Sequence, residues 1–280
     1  MPQSFRRKQS ALSISPVVNS SKKTMRQRAK QFDLSWQHLQ DLCPDPDSQH
    51  RLRWLQQQYG KRERGASESA QAEVDMAMLL VRAGLSLSFV KEMEHRTADL
   101  ECYLDHDRLF VEVTVIVPIE PDRSREFLTN RGPGNREDED ESGFYKDALV
   151  KRILARISEK ANQLADYCAP VLLAVTIVPQ EQNLGTKGKH NGRRMALDLQ
   201  QMGGVITQAL ASAPPVSAVL LTLWNIQPAE SRANIRLSNV HLGEWISGNK
   251  GSSEIRLLAQ NPAASHSIEP EVQLALRRVL

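Results

Sequence analysis

Two stretches of the chain that are apolar at nearly every position constrain its fold more than any other feature. They read VLLAVTIV at Val171–Val178 and VSAVLLTLW at Val216–Trp224. A strand with one solvated face alternates apolar and polar residues, whereas a strand covered on both faces is apolar almost throughout. The two stretches therefore predict central strands, at Val171–Val178 and Val216–Ile226, in an α/β sandwich with a mixed central sheet.

Helical and alternating patterns predict the elements around these strands. Leu34–Tyr59 has helical spacing, which Pro44 and Pro46 divide into two helices. SESAQAEVDMAMLLVRA, residues 67–83, predicts an amphipathic helix with Ser67 as its N-cap and Gly84 as its stop. The other predicted elements are strands at Leu85–Val90 and Asn234–Leu242, helices at Phe144–Tyr167, Arg193–Ala211 and Glu271–Val279, and a loop at Ile119–Gly143.

A predicted β-hairpin over Thr97–Val117 places two carboxylates close together. If its turn is centred on Asp105-His106, facing residues have numbers that sum to 211, so Asp99 faces Glu112. Opposed side chains in an antiparallel pair have Cβ atoms about 4.5–5.5 Å apart, and two like charges there are destabilising. Because hard divalent cations take carboxylate oxygens, the pair predicts a Mg²⁺ or Mn²⁺ site.

The long helix after the hairpin can add a cation to this pair. Alternation along the second hairpin strand assigns its three valines to the core face, which places Glu112 and Thr114 on the opposite face. Lys160, Gln163 and Tyr167 are spaced i, i+3 and i+7, so they share one stripe of the helix. Carboxylates, a divalent metal ion and a lysine are groups that phosphodiester hydrolysis uses.

These residues resemble the motif of the PD-(D/E)XK nuclease superfamily, whose restriction-endonuclease-like core has the order αβββαβ. That order matches the predicted elements from about Ser67 to Val178, with Asp99 at the first motif position and Glu112-Val-Thr114 at the second. Thr114 stands where the family has its lysine. In some branches that lysine moves to the following helix, where this chain has Lys160, and Gln163-Leu-Ala-Asp-Tyr167 is similar to the Gln-x-x-x-Tyr signature of an exonuclease-related branch.

The resemblance implies a role for each of these residues. Asp99 and Glu112 would bind Mg²⁺ or Mn²⁺ together with Glu73, because the family often has a glutamate on its first helix; Glu68 is the alternative there. Lys160 would stabilise negative charge, and Gln163 would position water or phosphate. The implied activity is metal-dependent hydrolysis of phosphodiester bonds in nucleic acid, with DNA as the expected partner.

We predict three regions: a disordered tail at residues 1–32, a helical extension at 33–65 and a nuclease-like α/β domain at 66–280. Charge distinguishes the tail from the rest of the chain. The tail has no acidic residue before Asp33 and carries eight basic ones. Its composition fits a phosphate-contacting arm, an organelle transit peptide or a solvated tail.

Composition limits the cellular environments that we expect for the protein. No apolar run approaches the ~18 residues that a membrane span needs, so no membrane partner is expected. Cys43, Cys102 and Cys168 have neither zinc-site spacing nor the pattern of a disulfide framework. A reducing compartment follows as the default, with the cytoplasm as the expected location, and a homodimer is left open.

Each site assignment has a structural alternative. In that alternative, Asp99 and Glu112 are ordinary polar residues on a solvated sheet face, and Lys160 forms a surface ion pair. Gln163 and Tyr167 then only cap an edge of the sheet. Two other functions accordingly stay open. One is a catalytically inactive module of the same fold that binds nucleic acid or a protein partner, and the other is an interaction protein with a targeting tail.

Overall fold

A mixed sheet between two layers of helices forms the described part of the chain. The structure is a computed structural model that describes residues 17–61, 63, 65–91, 98–117, 139–178, 195–224, 226–228, 237–246 and 253–280. The helices in these ranges are α1 Val17–Leu42, α2 Pro46–Tyr59, α3 Ala66–Arg82, α4 Glu139–Gln163, α5 Leu199–Ala211 and α6 Pro270–Arg277. The strands are β1 Ser86–Phe89, β2 Leu100–Leu104, β3 Asp107–Ile116, β4 Val171–Ile177, β5 Met195–Leu197, β6 Ala218–Trp224, β7 Ile226–Pro228, β8 Val240–Ile246 and β9 Ser253–Gln260.

Seven of these strands form one sheet with the order β1-β2-β3-β4-β6-β9-β8, while β5 and β7 form a separate parallel pair. β2 pairs antiparallel with both β1 and β3, and β4 pairs parallel with both β3 and β6. β9 pairs antiparallel with both β6 and β8. The predicted α/β class with a mixed central sheet is confirmed. Among the described residues, the elements from α3 to β4 have the order helix, three strands, helix and strand.

Two buried apolar clusters cover the two faces of the sheet. Residues of α1, α2, α3 and α6 form one cluster with Leu172 and Ala174 of β4, and residues of α4 and α5 form the other with Leu173 and Val175. Successive residues of β4 enter opposite clusters because Cβ atoms alternate across a strand. All seven residues of β4 are buried, which explains the apolar run that predicted a central strand.

The N-terminal helices are part of this core. α1 begins at Val17, so residues 17–32 are helical and the predicted disorder is wrong there, while residues 1–16 lie outside the described residues. Phe32 and Leu39 are fully buried, and a helix anchored by such contacts gains one hydrogen bond with each added residue. The predicted break between α1 and α2 is confirmed. None of the helices in the described ranges is long and apolar enough to cross a membrane.

The start of α3 differs from the predicted start, whereas its end agrees with the prediction. Gly65, with φ +98°, is the N-cap in place of Ser67, and its N–H donates to Glu68 Oε2 at 2.8 Å. Glu68 therefore caps the helix. Gly84 follows the helix with φ +92°, a conformation that favours glycine.

Boundaries in the second half of the chain differ more. The predicted helix Arg193–Ala211 divides into β5 and α5, because Asp198 accepts hydrogen bonds from the N–H groups of Gln200 and Gln201 and begins a new helix. The strand predicted at Val216–Ile226 divides into β6 and β7, and the strand predicted at Asn234–Leu242 is β8, which begins later. β9 was not predicted. α4 begins inside the predicted loop and ends at Gln163, so Tyr167 lies in the turn beyond it.

Candidate active site

Asp99 lies where β3 extends past the end of β2. The ladder between the two strands has the predicted register, with residue numbers that sum to 211, and ends at the pair Leu100 and Val111. Asp99 is thus one residue outside the ladder, and its N–H donates to Val111 O at 3.0 Å. The N–H of Val113 points towards this gap and donates to Asp99 Oδ2 at 2.8 Å. The carboxylate therefore accepts a backbone hydrogen bond from β3 beyond the last pair of the ladder.

Glu112 lies on the predicted face of β3 and meets the long helix. Lys160, in the last turn of α4, donates a charged hydrogen bond to Glu112 Oε1. The side chain of Glu112 is 8% exposed and that of Lys160 is 16% exposed. The contact that the sequence predicted between the α4 lysine and a hairpin carboxylate is therefore present, in a largely buried setting where a charge pair is screened little by solvent.

Glu73 enters the site from α3, and an arginine of α2 joins it to Asp99. Arg51 Nε donates to Glu73 Oε1 at 2.9 Å, and Arg51 Nη2 donates to Glu73 Oε2 and to Asp99 Oδ1, each at 3.0 Å. The ring of Trp54 lies under the guanidinium, 4.4 Å from its carbon atom to the ring centroid. Among the described residues, three carboxylates and two basic groups thus form one cluster beside β3.

Burial and neighbouring charge raise the pKa values of two carboxyl groups of this cluster. Burial raises the pKa of Glu73 above its ordinary value, and the charge of Asp99 raises it further against the effect of Arg51. Burial also raises the pKa of Glu112, and Asp99 adds to this against Lys160. At these two groups burial and the charge of Asp99 therefore outweigh Arg51 and Lys160, which favours the protonated forms of Glu73 and Glu112.

Tyr167 fixes the backbone that leads into Asp99. Its hydroxyl oxygen accepts a hydrogen bond from the N–H of Ala98 at 2.6 Å. Its ring packs edge-on against Phe110 of β3, with centroids 4.5 Å apart. Although Tyr167 lies beyond α4, the structure gives it a positioning role that the predicted helical stripe did not describe.

Replacing Tyr167 by phenylalanine is expected to destabilise the fold by about 1–3 kcal/mol, because the buried N–H of Ala98 loses its acceptor. Urea unfolding of the Tyr167→Phe variant measures this loss. Tyr103→Phe is the matched control, since Tyr103 is exposed and its hydroxyl donates to Glu101 on the surface. A surface substitution of that kind changes stability by no more than about 0.5 kcal/mol. Equal losses in the two variants would contradict the positioning role.

Two other residues of the motif are not drawn into the cluster. Gln163 donates from its amide to Glu159 on its own helix, at 3.5 Å. Thr114 is 8% exposed and pairs with Val175 of β4, as an ordinary strand residue does. The site therefore rests on Glu73, Asp99, Glu112 and Lys160, together with Arg51.

Arg51 is the residue that the sequence analysis missed. It lies on a helix whose pattern indicated only an apolar face, and it is 48 positions from Asp99. No spacing rule connects residues so far apart. The only signal was an arginine directly before the buried Leu52, on the same helix as Leu55.

The cluster does not form a ready metal cage. In the described part of the chain, no group of three or more histidine, cysteine, aspartate or glutamate side chains has an arrangement that would hold a metal ion. Glu73 is engaged by Arg51 through both of its oxygens. Asp99 and Glu112 are hard oxygen donors that suit Mg²⁺, and no donor of the described residues bonds Oε2 of Glu112.

Comparison with known proteins adds no assignment. The chain matches no family model, no curated protein and no solved structure.

Proposed function

We propose that the protein is a metal-dependent nuclease that hydrolyses phosphodiester bonds, with DNA as its expected substrate. The observation that carries the proposal is the charged contact between Lys160 of α4 and Glu112 of β3, beside Asp99 at the end of β2. A lysine, two acidic residues on a hairpin and the order α3-β1-β2-β3-α4-β4 are the features of the PD-(D/E)XK superfamily that this chain resembles.

Asp99 and Glu112 are the residues that would hold Mg²⁺ or Mn²⁺. Their donor atoms suit a hard cation, and a cation would offset the charge of Asp99, which adds to the effect of burial in raising the pKa of Glu112. When bound, the ion would lower the pKa of a water molecule and neutralise charge on the scissile phosphate. Glu73 supports Arg51 in this assignment, so the metal-ligand role implied for Glu73 is not part of the proposal.

Lys160 and Arg51 supply the fixed positive charge of the site. Lys160 is held by Glu112, so its ammonium group is placed before substrate arrives and costs no reorganisation during reaction. Arg51 is fixed by two carboxylates and a tryptophan ring, and its guanidinium keeps its proton at any physiological pH. Both groups can stabilise negative charge that develops on a phosphate. Gln163 receives no role, because its amide is bonded to Glu159.

The experiment that tests the proposal is cleavage of labelled duplex and single-stranded DNA, with RNA as a second substrate, in Mg²⁺ and in excess chelator. We expect cleavage in Mg²⁺ or Mn²⁺ and none with chelator. Lys160→Met should lower the rate by about 10²-fold, the typical effect of removing one charge-stabilising group. Lys151→Met is the matched control, because Lys151 is an exposed lysine of the same helix. Equal rates for Lys160→Met and the wild type would remove the lysine from the mechanism.

A catalytically inactive module of the same fold is the second candidate, and one observation favours it. Arg51 and Lys160 already bond all three carboxylates, and Thr114 stands at the usual lysine position. Such a module would bind nucleic acid or a protein partner without cutting. Salt-dependent DNA binding, with no cleavage in any divalent metal, is the result that selects this candidate.

A further inference from the structure

Trp54 is an exposed aromatic residue that lies directly beside the carboxylate cluster. It is 37% exposed, although tryptophan is on average one of the more buried residue types. The guanidinium carbon of Arg51 lies 4.4 Å from the centroid of the ring, so Arg51 covers one of its faces. The same guanidinium donates to Asp99 Oδ1 at 3.0 Å. A single side chain therefore lies between an accessible aromatic ring and the candidate active site.

The helix α2 holds the ring of Trp54 in this place. The hydroxyl oxygen of Ser48 accepts from the N–H of Phe89 in β1 at 2.8 Å, which ties the first turn of α2 to the sheet. Leu52 and Leu55 of the same helix are fully buried. An aromatic side chain has only two torsions to fix, so a ring on an anchored helix binds a ligand at a small cost in conformational entropy.

The exposed surface around Trp54 carries basic residues. Arg53 directly precedes the tryptophan and is exposed, and Lys61, two residues beyond the end of α2, is exposed as well. Asp47 is the acidic residue of α2, and it lies two helical turns before Trp54. Positive charge beside an aromatic ring suits a strand of nucleic acid, because the phosphates meet the charges while a base stacks on the ring.

We propose that Trp54 stacks an unpaired base, so that the protein takes single-stranded DNA, or duplex DNA with an unpaired end, in preference to fully paired duplex. This inference rests on the proposed function and specifies its substrate class. A base inside a duplex is covered on both faces by its neighbours, so it can stack on a side chain only after it leaves the helix, which costs free energy.

The position of Trp54 fits a base close to the reacting phosphate. The ring and Asp99 contact the same guanidinium. Successive nucleotides of a stacked strand are about 3.4 Å apart along its axis. A base on Trp54 is therefore expected within a few nucleotides of a phosphate at the carboxylate cluster.

DNA binding in excess chelator tests the inference without relying on cleavage or on a metal ion. The fluorescein-labelled probes are a short oligo(dT) strand, an abasic strand of equal length that keeps the phosphates but has no bases, and a blunt duplex. Trp54→Leu should bind oligo(dT) about tenfold more weakly than the wild type, because it loses one stacked base. It should bind the abasic strand and the duplex as the wild type does, since every basic residue is retained.

Tyr103→Leu is the matched control for this measurement. Tyr103 is also 37% exposed, but it lies towards the hairpin turn, at the end of β2 away from Asp99. This variant should bind all three probes like the wild type. Trp54→Phe keeps an aromatic ring and should recover most of the affinity that Trp54→Leu loses. The melting temperature of each variant verifies that the fold is intact.

Tryptophan fluorescence provides a second readout that a merely structural role would not change. Oligo(dT) should quench the emission of the wild type, because a base lies against the ring of Trp54. Trp54→Phe should lack this part of the quenching while it still binds oligo(dT), since the tryptophans at positions 36, 224 and 245 remain.

The outcomes separate the inference from the proposed function. Equal oligo(dT) binding by Trp54→Leu and the wild type, or an equal loss on oligo(dT) and the abasic strand, would overturn stacking while leaving a metal-dependent nuclease intact. A loss confined to oligo(dT), with no cleavage in any divalent metal, would support stacking and overturn the nuclease. A wild type that binds none of the probes would overturn the inference and favour a protein partner for this surface.

Discussion

Glu112→Gln is expected to lower metal-dependent cleavage by about 10³-fold or more. In the proposed function Glu112 is a charged oxygen ligand, and the metal ion that it would hold is worth several kcal/mol of transition-state stabilisation, at about 1.4 kcal/mol for each factor of ten. Gln has the same length, and its amide oxygen can still accept from Lys160, so the contact between β3 and α4 is retained. The fold should therefore be affected much less than the rate.

Steady-state cleavage assays at saturating Mg²⁺ measure this loss, with circular dichroism to verify the fold. Glu159→Gln is the matched control, because Glu159 is an exposed glutamate of α4 that pairs with Arg156. Full activity of Glu112→Gln would remove the hairpin from the chemistry. Alanine at Asp99 is a poorer test, since it would also deprive Arg51 and the N–H of Val113 of an acceptor.

Stability is expected to fall as the pH rises above about 4.5, the ordinary pKa of a glutamate side chain. Burial and neighbouring carboxylates raise the pKa values of Glu73 and Glu112 in the folded state. The folded protein therefore holds protons that the unfolded chain has released. Stability is complete below the unfolded pKa and declines as the pH passes through the raised folded values, by up to about 1.4 kcal/mol per pH unit for each proton.

Urea unfolding at several values between pH 5 and pH 9 measures this slope. Glu73→Gln should flatten it, because the amide has no proton to lose. Asp75, elsewhere on α3, acts in the same direction, since burial raises its pKa to about 6; Asp75→Asn separates its share. A slope that Glu73→Gln leaves unchanged, or stability that increases with pH, would contradict the raised pKa values of the cluster. Added Mg²⁺ should reduce the slope if it replaces the retained proton.

Local patterns predicted most of the hairpin and little of its surroundings. The register of β2 and β3, the face that carries Glu112 and the stop at Gly84 all follow from residues within one or two turns of each other. Strand alternation and the conformational freedom of glycine act over such distances. The start of β8 was wrong and β9 was not predicted, because both depend on which strand pairs with which across the sheet. The start of α5 depends instead on the cap that Asp198 provides.

The sequence by itself determined a mixed α/β sandwich and a pair of acidic residues beside a helix that carries Lys160. Only the tertiary structure decided what those carboxylates contact. Arg51 meets Glu73 across 22 positions and Asp99 across 48, and Tyr167 meets Ala98 across 69. Such contacts arise because α2 packs against β1 and Tyr167 packs against Phe110 of β3. No periodicity records which polar side chain that packing brings to a buried carboxylate.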